Sequence, residues 1–250
     1  MLRNAREKEI VNLLKEAGGF VSIGELCRAL YASESSIRRD LTALESKGLV
    51  RRSYGGAELV TNYSSAIAFG HRAHHNVAAK KAIAKKAATL IKDGDVIFLD
   101  QSSTAFYLAS EIAHNSTITV VTNNIEIIML LSTTGIHTIC SGGTLGEENR
   151  SCLVGTDAQY IFGNINADLV FFSTKSLSFD GVISDCDREE VLVRAAMLKN
   201  ADRRIFLCDS EKFGTGSAYK QCTLDDVDCL VCEDDSARAF AEVSRKLTVI

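Results

Sequence analysis

Residues 33–49 read S-E-S-S-I-R-R-D-L-T-A-L-E-S-K-G-L. Ile37, Leu41 and Leu44 recur at i, i+4 and i+7, the spacing of one apolar stripe along a helix. Ser33 suits the N-cap, because its hydroxyl can accept from an orphan amide of the first turn. Gly48 suits the position past the last turn, where a positive φ closes a helix. Opposite the stripe stand Ser35, Ser36, Arg38 and Arg39. Taken alone, that face is either an ordinary solvated surface or a surface for nucleic acid.

The flanks favour nucleic acid. On the N-terminal side, Asn4 and Glu7 have capping-box spacing, and Ile10, Leu13, Leu14 and Ala17 give a first helix its buried face before Gly18-Gly19 end it. Phe20-Val21 is a short extended piece, and Ser22 with Glu25 forms a second capping box opening a helix to Leu30. Tyr31-Ala32 is then the tight turn of a helix-turn-helix unit. On the other side, Leu49–Arg52, the turn Ser53-Tyr54-Gly55-Gly56 and Ala57–Val60 form a hairpin, or wing, with Arg51, Arg52 and Tyr54 at its exposed end. A purely structural hairpin has the same pattern, but two more arginines beside Arg38-Arg39 point to DNA.

These stretches resemble a known family. R-E-K-E-I at 6–10, V-S-I-G-E-L at 21–26, S-x-x-S-I-R-R-D-L at 33–41, L-E-x-x-G-L at 44–49 and R-x-x-Y-G-G-A at 51–57 are similar to the winged helix-turn-helix of DeoR-type bacterial repressors. The resemblance implies a DNA-binding domain over 1–60 with Ser33, Ser35, Ser36, Arg38, Arg39, Arg51, Arg52 and Tyr54 at the DNA. Such a protein is expected to read paired half-sites of a double-stranded operator as a dimer or larger homo-oligomer.

Composition sets outer bounds. The chain has 250 residues, 46% of them hydrophobic, enough for a large core and one or two domains. No long apolar run and no signal-peptide pattern is present, so a cytoplasmic protein without a membrane partner is expected. Eight cysteines lie in apolar stretches and read as small buried hydrophobes. Cys229 and Cys232 have CxxC spacing but no second ligand pair, so neither metal nor cofactor is expected. Residues 1–60 carry 10 Lys+Arg against 8 Asp+Glu, and residues 61–250 carry 18 against 24. The acidic remainder should repel DNA, which leaves contact to the N-terminal piece.

Residues 61–79 lack a clear period and read as a linker; His71 and His75 read as a surface pair. Lys80–Ile91 is a helix with Ile83, Ala84, Ala87 and Ile91 inward and its lysines in solvent. Beyond Gly94, apolar runs at 96–99, 118–121, 137–140, 169–172, 205–207 and 229–231 alternate with helical segments at 104–113, 125–132, 158–162 and 190–200. That alternation predicts an α/β domain over 80–250 built on a parallel, doubly wound sheet.

Such sheets bind ligands beyond the carboxyl ends of their strands. There stand Asp100, Gln101, Ser102, Ser103 and Thr104, then Thr122, Asn123 and Asn124, then Ser141, Gly142 and Gly143, and finally Asp209 and Lys212. Hydroxyls and amides at a helix N-terminus suit a phosphate, and glycines admit a ligand to the backbone. G-D-V-I-F-L-D-Q-S-S-T at 94–104, V-V-T-N-N at 120–124, S-G-G at 141–143, G-V-I-S-D at 181–185, R-A-A-M-L at 194–198 and D-S-E-K-F at 209–213 resemble the DeoR-type sensor domain. That domain is related to the ribose-5-phosphate isomerase and CoA-transferase superfamily. The resemblance implies a phosphorylated sugar or related small-molecule effector at these residues, with Lys175 a further contact or an ordinary surface lysine. Ser102 stands where the family's phosphate loop has glycine, which implies a tighter pocket.

Two functions follow. One is a transcriptional repressor of a carbohydrate operon, relieved by that effector, and not an enzyme. The other is a sugar-phosphate isomerase or deaminase carrying a DNA-binding arm. The second needs a positioned carboxylate or histidine, and Asp100, Asp180, Asp185 and Asp209 are the carboxylates on offer without motif support. A DNA-binding protein with a decayed sensor is a blander third reading.

Overall fold

A computed structural model describes residues 3–17, 20–46, 49–53, 55–59, 65–244 and 246–250. The chain divides into two compact units, Met1–His71 and Arg72–Ile250.

The first unit contains α1 (Arg3–Ala17), β1 (Phe20–Ser22), α2 (Ile23–Leu30), α3 (Glu34–Ser46), β2 (Val50–Ser53) and β3 (Gly56–Leu59). Ile37, Leu41 and Leu44 are buried as the stripe required, and meet Ile10, Leu14, Leu26, Val50 and Ala57 in one core. Ser22 and Glu25 exchange the two bonds of a capping box at the start of α2. Tyr31 takes φ 48° in the turn to α3. The backbone of Asn4 lies within α1 and its side chain falls outside the described residues, while Ala17 is exposed rather than inward. Gly18-Gly19, Gly48 and Tyr54 fall outside the described residues, and of Arg51 only the backbone in β2 is described. The extended piece at Phe20 is recruited as a third antiparallel strand, giving the order β1-β3-β2.

That pairing brings the backbones of β1 and β3 so close that a Cβ on Gly56 would stand 2.4 Å from the Val21 carbonyl oxygen. Gly56→Ala is therefore expected to destabilise this unit by about 1–3 kcal/mol, the usual cost of overpacking. Thermal unfolding should show the loss in its transition alone, and an unchanged transition would mean the wing does not pack as described.

Helix α4 (Ser65–His74) runs across the boundary between the units, and the second unit continues with α5 (Val77–Ala88), β4 (Val96–Leu99), α6 (Ser103–Glu111), β5 (Thr119–Thr122), α7 (Ile125–Leu131), β6 (His137–Cys140), β7 (Thr144–Leu145), β8 (Leu153–Val154) and α8 (Thr156–Gly163). It continues with β9 (Ala167–Phe172), β10 (Ser176–Leu177), β11 (Val182–Asp185), α9 (Arg188–Lys199), β12 (Ala201–Leu207), β13 (Tyr219–Thr223), β14 (Cys229–Val231) and β15 (Thr248–Val249). Seven parallel strands form the sheet in the order β15-β14-β12-β9-β4-β5-β6. Both faces are covered, as parallel sheets require. Ile97 and Leu99 of β4 join Ile83, Ala87, Leu108 and Ile127 on one side. Phe98 between them points to Phe162, Val170, Val193 and Met197 on the other. The strand period of two thus divides one short run between two cores.

Part of the segment read as a linker is helical: α4 covers Ser65–His74 and α5 starts at Val77. Alanine-rich sequence favours helix, and Asn76 separates the two by adopting φ 51°. The lysines of α5 are not all in solvent. Lys80 is buried, and Lys86 donates to the Cys232 carbonyl at 2.9 Å. Three small additions were not foreseen, the edge strand β15, the antiparallel sheet β10-β11-β13 and the hairpin β7-β8.

Candidate functional site

In the first unit, α3 presents an exposed polar face. Ser33 caps it, with the Ser36 amide 3.4 Å from the Ser33 hydroxyl. That hydroxyl also lies 3.1 Å from Ser35 Oγ and 3.0 Å from Ser36 Oγ. The two arginines differ in what they touch. Arg38 donates through Nε and Nη2 to Glu34 Oε1 at 2.9 and 2.6 Å. Arg39 is exposed and reaches only the Ser35 carbonyl at 3.4 Å, with no carboxylate partner among the described residues.

Arg52 is not free at the tip of the wing. Its Nε donates to Glu45 Oε2 at 2.6 Å and its Nη1 to Thr42 Oγ1 at 2.9 Å. Its amide donates to Glu45 Oε1 at 3.1 Å. The amide and guanidinium of Arg52 hold the Glu45 carboxyl below the usual range. Arg52 thus braces strand β2 on helix α3 while its side chain stays exposed.

In the second unit the order of strands defines a switch point. The chain runs outward from β4 through β5 to β6, then returns to β9 on the other side of β4. The crevice beyond the carboxyl ends of β4 and β9 is the topological switch point, where doubly wound sheets take ligands. Asp100 and Ser173 stand there, one after each strand.

Asp100 is completely buried and offers nothing to a ligand. It accepts from the Ser102 amide at 3.0 Å, the Ser173 amide at 3.1 Å and Arg194 Nε at 3.0 Å. The expectation that it meets sugar hydroxyls is corrected: it clamps the two loops together. Arg194 is buried too, 3.1 Å from Asp185 Oδ2, 4.0 Å from Glu190 Oε2 and 2.9 Å from Gln221 Oε1. Burial works against its charge, but Asp185, Asp100 and Glu190 outweigh that and raise its pKa above the ordinary arginine value.

The network continues along Glu190. Gln101 Nε2 donates to Glu190 Oε2 at 3.0 Å, and Asn149 Nδ2 to Glu190 Oε1 at 2.7 Å. Asn123 Nδ2 lies 3.4 Å from Gln101 Oε1 and donates to the Leu153 carbonyl at 3.0 Å.

Other expected ligand groups are spent on the fold. Thr122 Oγ1 donates to the Leu99 carbonyl at 2.7 Å, and Asn124 Oδ1 caps α7 by accepting from Glu126 and Ile127. Ser102 caps α6, its Oγ accepting from Ala105 at 3.1 Å. Gly142 and Gly143 take φ 66° and 105°, and a Cβ on Gly143 would stand 2.4 Å from the Val154 carbonyl oxygen. The close approach there is made by the protein's own hairpin. Lys175 is exposed, with no bond into this network among the described residues.

The first turn of α6 and Lys212 remain, with Ser103 and Thr104 themselves 6% and 1% exposed. Ser103 and Thr104 open α6, where a helix leaves its first amides without intrahelical partners. Lys212 Nζ donates to Ser173 Oγ at 2.9 Å and lies 3.2 Å from Asp209 Oδ2, an ion pair not aligned as a hydrogen bond. Burial pulls the pKa of Lys80, near Asp209 and Lys212, below the usual lysine range. Glu190, Asn149 and Lys80 were not among the residues expected here, Arg194 was noted only within the stretch 194–198, and Asp185 was considered as a carboxylate for isomerase chemistry. For Arg194 one signal existed, a charge between Val193 and Met197 on the helix face that packs in the core.

Comparison with known proteins gives a consistent result. Residues 6–63 match the model of a DeoR-like helix-turn-helix domain, and residues 75–234 that of a DeoR C terminal sensor domain. The chain is 33% identical over 236 residues to the HTH-type transcriptional regulator GolR of Listeria innocua, covering 94% of this chain and 92% of that protein. It is 31% identical to the transcriptional repressor AccR of Agrobacterium fabrum, covering 97% and 94%. A ribose 5-phosphate isomerase A from Methanocaldococcus jannaschii is similar over 54% of this chain and 53% of that one, at 20% identity and TM-score 0.41.

Proposed function

The chain belongs to the DeoR family of DNA-binding transcriptional regulators, and from that premise we propose that it represses a carbohydrate operon until a phosphorylated sugar or related metabolite binds its C-terminal unit. The observation that carries the effector half is the set of donors at the switch point. The first turn of α6 supplies amide donors and its positive dipole end. Lys212, held at Ser173 Oγ, adds a cation beside them. A phosphate dianion needs that combination of several donors and one nearby charge.

The same network argues against the alternative of an isomerase with a DNA-binding arm. Asp100 has three donors on its carboxylate, and Glu190 is held by Gln101 and Asn149. Neither presents a free oxygen to take a proton from carbon, which general-base chemistry requires. We read the unit as a binding domain without turnover. For the other end, Ser33, Ser35, Ser36, Arg38 and Arg39 are assigned to DNA, with α3 as the helix in the major groove. Arg52 is assigned to bracing. A homodimer would match paired half-sites, and we place the DNA-binding function in 1–60 and the sensor beyond the α4 segment.

An effector changes operator affinity only through unequal affinity for the DNA-competent and incompetent states. Tenfold release needs about 1.4 kcal/mol of such coupling. The test is operator affinity with and without a sugar phosphate selected by thermal shift. Ser103→Asp with Thr104→Asp sets like charge against the phosphate, and should abolish the response while operator affinity without effector is kept. A doubly substituted protein that responds like the parent would place the effector elsewhere, and turnover of any sugar phosphate would favour the enzyme.

A further inference from the structure

Helices α4 and α5 meet at a joint gripped by side chains of the second unit. Asn76, between the two helices, takes φ 51° and makes no side-chain cap bond. Residues with a Cβ visit this left-handed region rarely, asparagine more readily than most, and they keep it where their surroundings impose it. Two side chains supply the grip. Tyr107, on α6, donates its hydroxyl to the Ala73 carbonyl in the last turn of α4, at 3.0 Å. Lys80, on α5, is buried and donates through Nζ to the His75 carbonyl. His75 Nδ1 also lies 3.5 Å from Glu211 Oε2, an exposed pair that adds little.

Both grips lead back to the groups assigned above to phosphate. Tyr107 follows Ser103 by about one turn on α6, and a rigid helix carries a shift of its first turn along its length. Asp209 and Lys212 are among the charges that act on Lys80. Helix α5 is not free to turn, because Ile83, Ala84 and Ala87 are buried in the core on one side of the sheet. Helix α4, by contrast, starts among the residues of the first unit. The joint is therefore the point on the chain where the segment from the DNA-binding unit is first held by the sensor. We propose that the α4–α5 joint is the two-state element through which a ligand at the first turn of α6 changes affinity for DNA, with Tyr107 and Asn76 as its positioning residues. The inference rests on the phosphate reading of α6. A ligand that draws on that turn or on Lys212 alters the bond from Tyr107 or the charge around Lys80, and so biases the joint between its two settings. Neither Tyr107 nor Asn76 is among the residues assigned to the ligand, so changing them alters coupling and spares ligand affinity.

The experiment uses the full-length protein with Tyr107→Phe and Asn76→Gly. Phenylalanine keeps the edge-to-face contact with Phe106 and loses only the hydroxyl. Glycine holds a positive φ without strain but also allows the joint other settings. Amide hydrogen exchange needs no ligand: in each variant, residues 73–80 should exchange at least tenfold faster while β4 keeps its protection. Operator is then titrated with and without saturating probe, the probes being inorganic phosphate and a panel of pentose and hexose phosphates. A probe effect of about tenfold in the unaltered protein should fall to about threefold or less in each variant. Probe affinity by calorimetry without DNA should stay within about twofold, and operator should change it by the same factor that probe changes operator affinity. Coupling that survives intact in both variants overturns the proposal. Coupling lost together with probe affinity overturns it too, since the two residues would then belong to the ligand site. Unchanged exchange at 73–80 removes the grip, whether or not any probe binds. If exchange rises as expected but no probe acts on the unaltered protein, the phosphate reading of α6 has failed and this inference falls with it.

Discussion

Arg194→Met is expected to cost the C-terminal unit about 3–5 kcal/mol, the usual penalty when one partner of a buried ion cluster is removed. The guanidinium is 1% exposed and stands against Asp100, Asp185 and Glu190, all of them buried. Methionine fills much of the volume but leaves three carboxylates without their cation. For a domain of this size each kcal/mol moves the midpoint by about 2–4 °C, so the fall should be roughly 6–20 °C. Arg194→Lys should restore little, because a lysine cannot reach Asp100, Asp185 and the Gln221 carbonyl together from one planar fork. Asp185→Asn should cost less, since Asp100 keeps its bonds to Ser102, Ser173 and Arg194. Calorimetry that resolves the two units would check this. A midpoint unchanged in Arg194→Met would mean the cluster does not hold the loops after β4 and β9.

The contrast between what could and could not be foreseen follows from how each feature is encoded. Strands such as Val96–Leu99 and Cys229–Val231 are uninterrupted apolar runs, and a run buried on both faces needs no partner to be recognised. The stripe Ile37, Leu41 and Leu44 carries its period in three letters. By contrast β7, β8 and β10 are two residues long, too short for any period to show. The roles of Asp100 and Arg194 are set 94 residues apart. Nothing local to Asp100 distinguishes a carboxylate offered to a ligand from one closed by Ser102, Ser173 and Arg194. Arg52 is a like case: its wing position suggested DNA, and only the fold shows that Glu45 and Thr42 lie against it. Sequence therefore located the carboxyl edge of the sheet where these polar loops gather, while the division between committed and uncommitted side chains is a property of packing.

At the other end of the protein, Arg39→Ala is expected to weaken operator binding by about 1–3 kcal/mol, or about 5- to 150-fold, the range for an arginine reading a base edge. Arg39 is exposed on the polar face of α3 and has no carboxylate partner among the described residues, so its charge is available to DNA. Arg38 is different because Glu34 holds two of its donors. A carboxylate in the first turn of a helix that enters the groove meets phosphates of like sign unless it stays paired. Arg38→Ala therefore removes a cation and also uncovers Glu34, so two losses add. Glu34→Gln removes the repulsion and frees Arg38. It should raise affinity for operator and random DNA alike and steepen the salt dependence by about one phosphate contact. The double variant Arg38→Ala with Glu34→Gln should bind better than Arg38→Ala alone, which separates uncovered charge from lost contact. Titrations at several salt concentrations against operator and random sequence give all three quantities. If Arg39→Ala kept full affinity and Glu34→Gln gained none, α3 would not be the element that meets DNA.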